Sequence, residues 1–515
     1  ESNQTYFYRF LASNGSEGWS DAGSFTTLPY GQGTLRINTG WDDQGLGAGW
    51  FWDKGLGEGD SIIMEPTLDQ TLYFGPDGSS WTLTKAVFSF QDSLTLGSGL
   101  EKIILEGRKD YSYFSWYSML FATGMGAALL YWSTYEWLVY YTDPIVGEEK
   151  SLLKARSYPL FHWTFTGWAL YILPTVAFVF SLMKNSNTPL TFSGILLKKQ
   201  SGPIRIILDI FFIGAILTGA GVGLALSFPL LSAAISKLFN INQSLYLDFL
   251  MLFICMCVVA ISVYRGLQNG IKKLSNFNII LVIIFLFLIL ITGPTKYIIF
   301  NTLESFSYVI KNYFSLSLTK SKYSLDWTVF YWAWYIALAP AVGAFIVNIS
   351  NNKTVRELIF GAIIVGSLGC IFHIGVLSNI SIYFYENAIL DAPKIYEDGS
   401  LTSHALVVET ISSLNFGLVF LIIFAIIAVV FLCTTYDSLS YILATASMKN
   451  FKDKPTRSLR VFFAIILMIQ PALIMFMGGK DSFMWLLVVI SVPLMVIYIF
   501  LILSIFKNAI KFKKS

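Results

Sequence analysis

Two runs of this sequence gather aromatic rings at a spacing suited to cation binding. HWTFTGWALY carries Trp163, Trp168 and Tyr171. In a helix, Trp168 and Tyr171 share a face, while Trp163 lies about 140° from Trp168 and about 80° from Tyr171. DWTVFYWAWYIALAP carries Trp327, Tyr331, Trp332, Trp334 and Tyr335. Ring faces are electron-rich and attract a desolvated cation. A quaternary ammonium has no N–H to donate, so rings can hold its fixed charge without a buried anion. The competing reading is a belt of interfacial aromatics. It suits Trp327 better than Trp334 and Tyr335, which have apolar neighbours.

A second group of residues offers oxygen. FLCTTYDSLS places Thr434 and Thr435 directly before Asp437. Adjacent hydroxyls with local carbonyls suit a hard cation such as sodium, although both hydroxyls can also bond back to their own helix. GMGAA at 124–128 sets Gly124 and Gly126 around Met125. Such a segment either breaks a helix and frees carbonyls for an ion or lets two helices pack closely. Glu136 and Asp437 are ionisable residues in apolar surroundings, and such residues are functional candidates. Asp437 also suits a helix junction. The three histidines, His162, His373 and His404, form no nucleophile–base pattern, and no zinc, Walker or Rossmann motif is present. These observations argue against an enzyme.

The elements that must position these groups are membrane spans. Hydrophobic residues make up 55% of the 515 residues and charged ones 13%, roughly half the charge of an average soluble protein. A span needs about 20 mostly apolar residues. Ten candidates are predicted: 114–140, 160–183, 204–231, 247–267, 275–299, 327–349, 355–380, 405–445, 459–477 and 482–507. Lys and Arg are denser on one side of these spans, most visibly in KNFKDKPTRSLR and KFKKS, which places both termini in the cytoplasm. The net charge of +3 gives no reason for a nucleic-acid partner. Cys255, Cys257, Cys370 and Cys433 sit in apolar runs and read as small hydrophobes.

Residues 1–100 differ. Short alternating runs separated by SNGS, DDQG and GPDG predict a small β-rich soluble region. TYFYRFLASNGSEGWSDAGSFTT resembles the last strands of a fibronectin type III-like module, and an artefactual fusion is the alternative. Asn3 and Asn14 fall in glycosylation-type motifs. The chain begins at Glu1, as a fragment or a processed product would. The expected organisation is a β-rich region at 1–100, a cytoplasmic linker at 101–113, a ten-span core at 114–507 and a basic cytoplasmic tail at 508–515.

Six ordered segments resemble the betaine/choline/carnitine transporter (BCCT) family: FSWYSMLFATGMGAALLYW, FHWTFTGWALYILP, YRGLQNGIKKLSNFNIILVI, DWTVFYWAWYIALAPAVGAFI, NKTVRELIFG and FLCTTYDSLSYIL. They fall within residues 101–510. The resemblance implies an all-α membrane protein with a LeuT-like core of two inverted five-helix repeats, here carrying a β-rich N-terminal region where the family usually has two further helices. It implies substrate binding by Trp163, Trp168, Tyr171, Trp332, Trp334 and Tyr335, with Thr123 and Met125 of the GMG segment. It implies a sodium site from the backbone oxygens of Ala122, Met125 and Phe431 and the hydroxyls of Thr434 and Thr435. Gly124, Gly126, Glu136 and Asp437 take gating or structural roles. Many members have tryptophan where this chain has Tyr335, and Leu338 replaces a further one. STYEW at 133–137 stands where the family has GVAEP and keeps only the acid.

The implied activity is sodium-coupled import of a betaine-like quaternary ammonium or methylated osmolyte by alternating access. Sodium serves as the coupling ion and there is no other cofactor. The expected location is the inner (plasma) membrane, and the family resemblance implies a homotrimer. Sodium-independent exchange of carnitine-like compounds is the alternative within transport, and a membrane sensor on a transporter fold lies outside it.

Overall fold

The computed structural model describes residues 5–8, 10–11, 23–26, 35–37, 50–52, 61–64, 70–73, 80–83, 86–89, 103, 110–143, 150–185, 188–197, 202–265, 268–318, 324–448, 455–477 and 480–514. Asn3, Asn14 and most of the expected 101–113 linker lie outside them. The chain divides into two units, the first dominated by residues 1–104 and the second by residues 105–351 and 357–506.

The first unit holds short strands: β1 (Thr5–Tyr8), β2 (Phe10–Leu11), β3 (Gly23–Thr26), β4 (Leu35–Ile37), β5 (Trp50–Trp52), β6 (Ser61–Met64), β7 (Gln70–Tyr73), β8 (Ser80–Leu83) and β9 (Ala86–Ser89). They pair as β1–β3, β2–β7–β8, β4–β5 and β6–β9, each ladder antiparallel.

The second unit is helical. It begins with α1 (Tyr113–Met125), α2 (Ala128–Thr142), α3 (Leu152–Trp163), α4 (Phe165–Lys184) and the short α5 (Phe192–Leu196). Then come α6 (Pro203–Phe239), α7 (Leu245–Arg265), α8 (Gln268–Thr292) and α9 (Thr295–Leu318). A π-helical turn (Ser324–Thr328) leads into α10 (Val329–Ile349), followed by α11 (Val355–Glu386). The last elements are α12 (Ala392–Asp398), α13 (Ser403–Ser412), α14 (Gly417–Ala446), α15 (Arg457–Met477) and α16 (Lys480–Lys514). Several starts are capped by hydroxyls: Ser112 for α1, Ser151 for α3 and Thr402 for α13 each accept a first-turn N–H.

Among the described residues, eight helical spans are long and apolar enough to cross a bilayer. This is a multi-pass membrane protein. Burial ranks the helices: 89% of the apolar stretch of α10 is buried, against 33% for α8 and for α16. The aromatic-rich α10 is therefore central and packs most extensively on α4, while α8 and α16 present Phe287, Ile291, Val489 and Phe500 outward. The two ring-bearing segments face each other across the most protected interface of the bundle.

The structure departs from the expected spans in several places. Among the described residues, 114–140 is divided into α1 and α2, and 247–267 holds only a shorter apolar helix, Leu245–Ile261, so neither is among the eight. The helix predicted over 160–183 is interrupted: Thr164 leaves helical geometry (φ −104°, ψ −127°), and α4 restarts when Trp168 N–H bonds to Thr164 O at 3.2 Å. Trp163 thus lies on α3 and Trp168 on α4, so the single-helix angles between them do not apply. The 405–445 segment is split into α13 and α14 by a turn in which Phe416 takes φ 65°. The segment between the fifth and sixth spans contains α9, which is helical but too polar to read as a span. Its Glu304 and Ser305 take the buried Arg156 of α3, Ser305 Oγ accepting from Nε at 2.9 Å. Finally, Arg460, counted from sequence in a basic cytoplasmic flank, is 5% exposed and forms a salt bridge with Asp437, joining α14 to α15.

Removing one member of that pair strands a buried charge, at a cost of about 3–5 kcal/mol. Asp437→Ala and Arg460→Ala should each lower the thermal unfolding temperature in detergent strongly. The double change Asp437→Leu with Arg460→Leu should recover most of the loss. A double variant as unstable as the sum of the singles contradicts this.

Candidate functional site

The site is built on the end of α1. Gly126 closes the helix with φ 58° and ψ −165°, a backbone region that glycine enters without the Cβ clash other residues suffer. Two residues later α2 begins. The carbonyls of Ala122 to Met125 therefore face a helix end, where onward helical pairing stops. Both sequence readings of GMGAA are met: the backbone breaks at Gly126, and Gly124 lets a neighbouring helix approach closely.

On one side of the break lies α14. A Cβ placed on Gly126 would come 3.0 Å from Thr435 Oγ1. That hydroxyl is buried and has no hydrogen-bond partner. Thr434 Oγ1 donates into its own helix, 3.0 Å from both Val430 O and Phe431 O, which leaves its lone pairs uncommitted. Thr123 Oγ1 lies 3.4 Å from Ser438 Oγ, which donates to Thr434 O at 2.8 Å. Threonine, serine and carbonyl oxygens thus gather where α1 stops against α14. Such a donor set suits a hard monovalent cation, and the orphaned Thr435 hydroxyl is the atom that such an ion would satisfy. Among the described residues, no three His, Cys, Asp or Glu side chains gather as a metal site. Asp437, nearby in sequence, is committed to Arg460.

On the other side lie the rings. Tyr171 Oη donates to Gly124 O at 2.9 Å. A Cβ on Gly124 would meet Trp168 Cη2 at 3.0 Å and Tyr171 Cε2 at 3.3 Å, so the absence of a side chain there is what seats α4 on the break. Tyr335 stands edge-on to Tyr171, with centroids 5.0 Å apart, and to Trp163 at 6.2 Å. Trp163 also meets Trp334 edge-on at 6.0 Å. Trp334 is fixed from behind, its Nε1 donating to Gly219 O of α6 at 2.8 Å. Each such ring pair adds about 0.5–1.5 kcal/mol beyond its buried area. Five of the six predicted rings, Trp163, Trp168, Tyr171, Trp334 and Tyr335, are buried together. Trp332 is half-buried and stands beside Tyr335, Phe161 and His162. Met125 is buried at the break. Thr123 is directed to α14 by its contact with Ser438.

Glu136 anchors this assembly from α2. Its carboxylate is fully buried and accepts from Trp163 Nε1 at 2.8 Å and from Tyr140 Oη at 2.8 Å. His162 Nδ1 lies 2.9 Å from the same carboxylate, and His162 Nε2 lies 2.9 Å from Thr328 Oγ1 in the π-helical turn. One acid therefore ties α2 to α3 and, through His162, to the start of α10.

Sequence reasoning missed the contribution of α11. Gly366 lies so close to Trp168 that a Cβ there would fall on the indole ring. Phe121 stacks on Trp168 at 6.0 Å and on His373 at 5.6 Å. Cys370 is fully buried beside Trp168. The run GSLGCIFH reads as one more apolar span, and its glycines were the available signal.

Comparison with known proteins places this geometry in a family context. Residues 82–514 match the family described as BCCT, betaine/carnitine/choline family transporter. A carnitine transporter of Acinetobacter baumannii is 28% identical over 408 residues, covering 76% of this chain and 74% of that protein. A glycine betaine/proline/choline/ectoine transporter of Vibrio parahaemolyticus is 30% identical over 412 residues, covering 75% of this chain and 71% of that protein. Among solved structures, a substrate-bound, outward-open Na+-coupled sialic acid symporter aligns with a TM-score of 0.51 at 13% identity, covering 77% of this chain and 80% of that one. That likeness is one of fold, and the fold is LeuT-like.

Glu136→Ala would leave Trp163 Nε1 without its acceptor, at about 1–3 kcal/mol for the stranded N–H, and would leave Tyr140 Oη with His162 Nδ1, 3.1 Å away. The expected result is a clear drop in thermal stability together with a changed Trp fluorescence spectrum. Glu136→Gln, which keeps a carbonyl acceptor, should lose less. Equal losses for the two variants would contradict the anchoring role.

Proposed function

This chain belongs to the BCCT family of betaine, carnitine and choline transporters, and we propose that it imports a betaine-like quaternary ammonium osmolyte together with sodium by alternating access. One observation carries the reading. The same helix break holds the ring cluster through Gly124 and meets the orphaned Thr435 hydroxyl at Gly126. An ion at the oxygen cluster would order the end of α1 against α14. The rings of α4 rest on that end, so ordering it favours their closed arrangement around a cation. Coupling of this kind is reciprocal, each ligand raising the affinity for the other by the same factor.

In this proposal Trp163, Trp168, Tyr171, Trp334 and Tyr335 surround the ammonium group, with Trp332 at the margin. The carbonyls of Ala122, Met125 and Phe431, with Thr434 and Thr435, hold sodium. The relatives named for carnitine and for glycine betaine support the substrate class. The proposal places both termini in the cytoplasm and the chain in the inner membrane as a homotrimer, which crosslinking in native membranes would reveal. It keeps residues 1–100 as a β-rich region apart from the transporter core.

Uptake of radiolabelled glycine betaine into proteoliposomes should require an inward sodium gradient. Thr435→Ala should raise the sodium concentration for half-maximal uptake about ten-fold, since the variant loses the hydroxyl left free for the ion. Uptake that persists without sodium and is stimulated by substrate inside the vesicle would favour the exchange reading.

A further inference from the structure

The ring cluster carries buried hydroxyls that find no acceptor, Tyr331 Oη and Tyr335 Oη. Tyr335 is 3% exposed, and its hydroxyl has no partner. Trp168 is fully buried, and its indole N–H is turned to the Cys370 thiol of α11. Three other polar groups here are spent: Tyr171 on Gly124 O, Trp334 on Gly219 O and Trp163 on Glu136. Glu136 is the carboxylate of this assembly, and it is engaged by Trp163, Tyr140 and His162.

A buried donor without an acceptor costs about 1–3 kcal/mol. Phenylalanine at position 335 would keep the ring and avoid that cost. The hydroxyl is therefore a cost that an acceptor on a bound ligand can relieve. The ring faces supply what a cationic head needs, while the Tyr335 hydroxyl lacks an acceptor. Among the described residues, no Lys or Arg pairs with these rings to bind a carboxylate in its stead.

We propose that the Tyr335 hydroxyl is a specificity determinant that selects a carboxylate-bearing zwitterion over a purely cationic amino alcohol. The proposal rests on the reading that the ring cluster holds the substrate. A carboxylate accepts charge-assisted hydrogen bonds, which are roughly twice as strong as those to a neutral hydroxyl. A site built around hydrogen-bonding groups rejects analogues that leave those groups unpaired.

The test is ligand titration of the purified full-length protein in sodium-containing detergent buffer, followed by calorimetry, with glycine betaine and choline as probes. Wild type should bind glycine betaine at least ten-fold more tightly than choline. Tyr335→Phe should reduce that ratio to about three-fold or less. Its unfolding temperature without ligand should match or exceed that of wild type, since it loses only an unsatisfied hydroxyl. Equal or tighter choline binding by wild type overturns the inference, as does an unchanged ratio in the variant. A marked loss of stability without ligand also overturns it, because the hydroxyl would then have a partner within the protein. If wild type binds neither probe, the ring-cluster reading itself fails. A wild-type ratio near one overturns the inference even if the variant does not fold.

Discussion

The structure depends on one backbone event, the positive φ at Gly126 that stops α1 inside the bundle. A helix that ran on would pair its carbonyls internally and carry a side chain into Thr435. Ending there turns the last turn of α1 toward two neighbours. Gly124 O is claimed by Tyr171 of α4, and the Gly126 backbone lies against α14. The segment is small because both neighbours approach to contact distance. The proposed ion and substrate sites would need no long relay, since they would share a few residues of backbone.

Around this break the protein uses polar groups sparingly and for position. Glu136 fixes Trp163, and Gly219 O fixes Trp334. Asp437 and Arg460 tie α14 to α15. Each is a buried polar pair whose members would be costly alone. Buried groups left without a nitrogen or oxygen partner at the break and its rings include Thr435 Oγ1, Tyr331 Oη and Tyr335 Oη.

Much of this was legible in the sequence because it is local. Dense Trp and Tyr in two segments, glycines flanking Met125 and paired threonines before Asp437 are all short-range patterns, and five of the six predicted rings meet. The rest depended on tertiary pairing. Arg460 looked like a solvated flank because Asp437, its partner, lies in another helix. Gly366 and Cys370 sit in a run with no periodic mark of their own. The break at Thr164 is invisible to hydrophobicity, because residues on both sides are apolar. α9 is helical yet too polar for a span, and its burial partner Arg156 is distant in sequence.

The central claim is that the oxygen cluster and the ring cluster are coupled through the end of α1. Binding of glycine betaine to purified protein, followed by tryptophan fluorescence at constant ionic strength while potassium is replaced by sodium, tests it most directly. The account predicts that the dissociation constant falls by about ten-fold or more as sodium rises, consistent with a coupling energy in the usual range of 1–3 kcal/mol. An affinity identical in potassium and in sodium would contradict it.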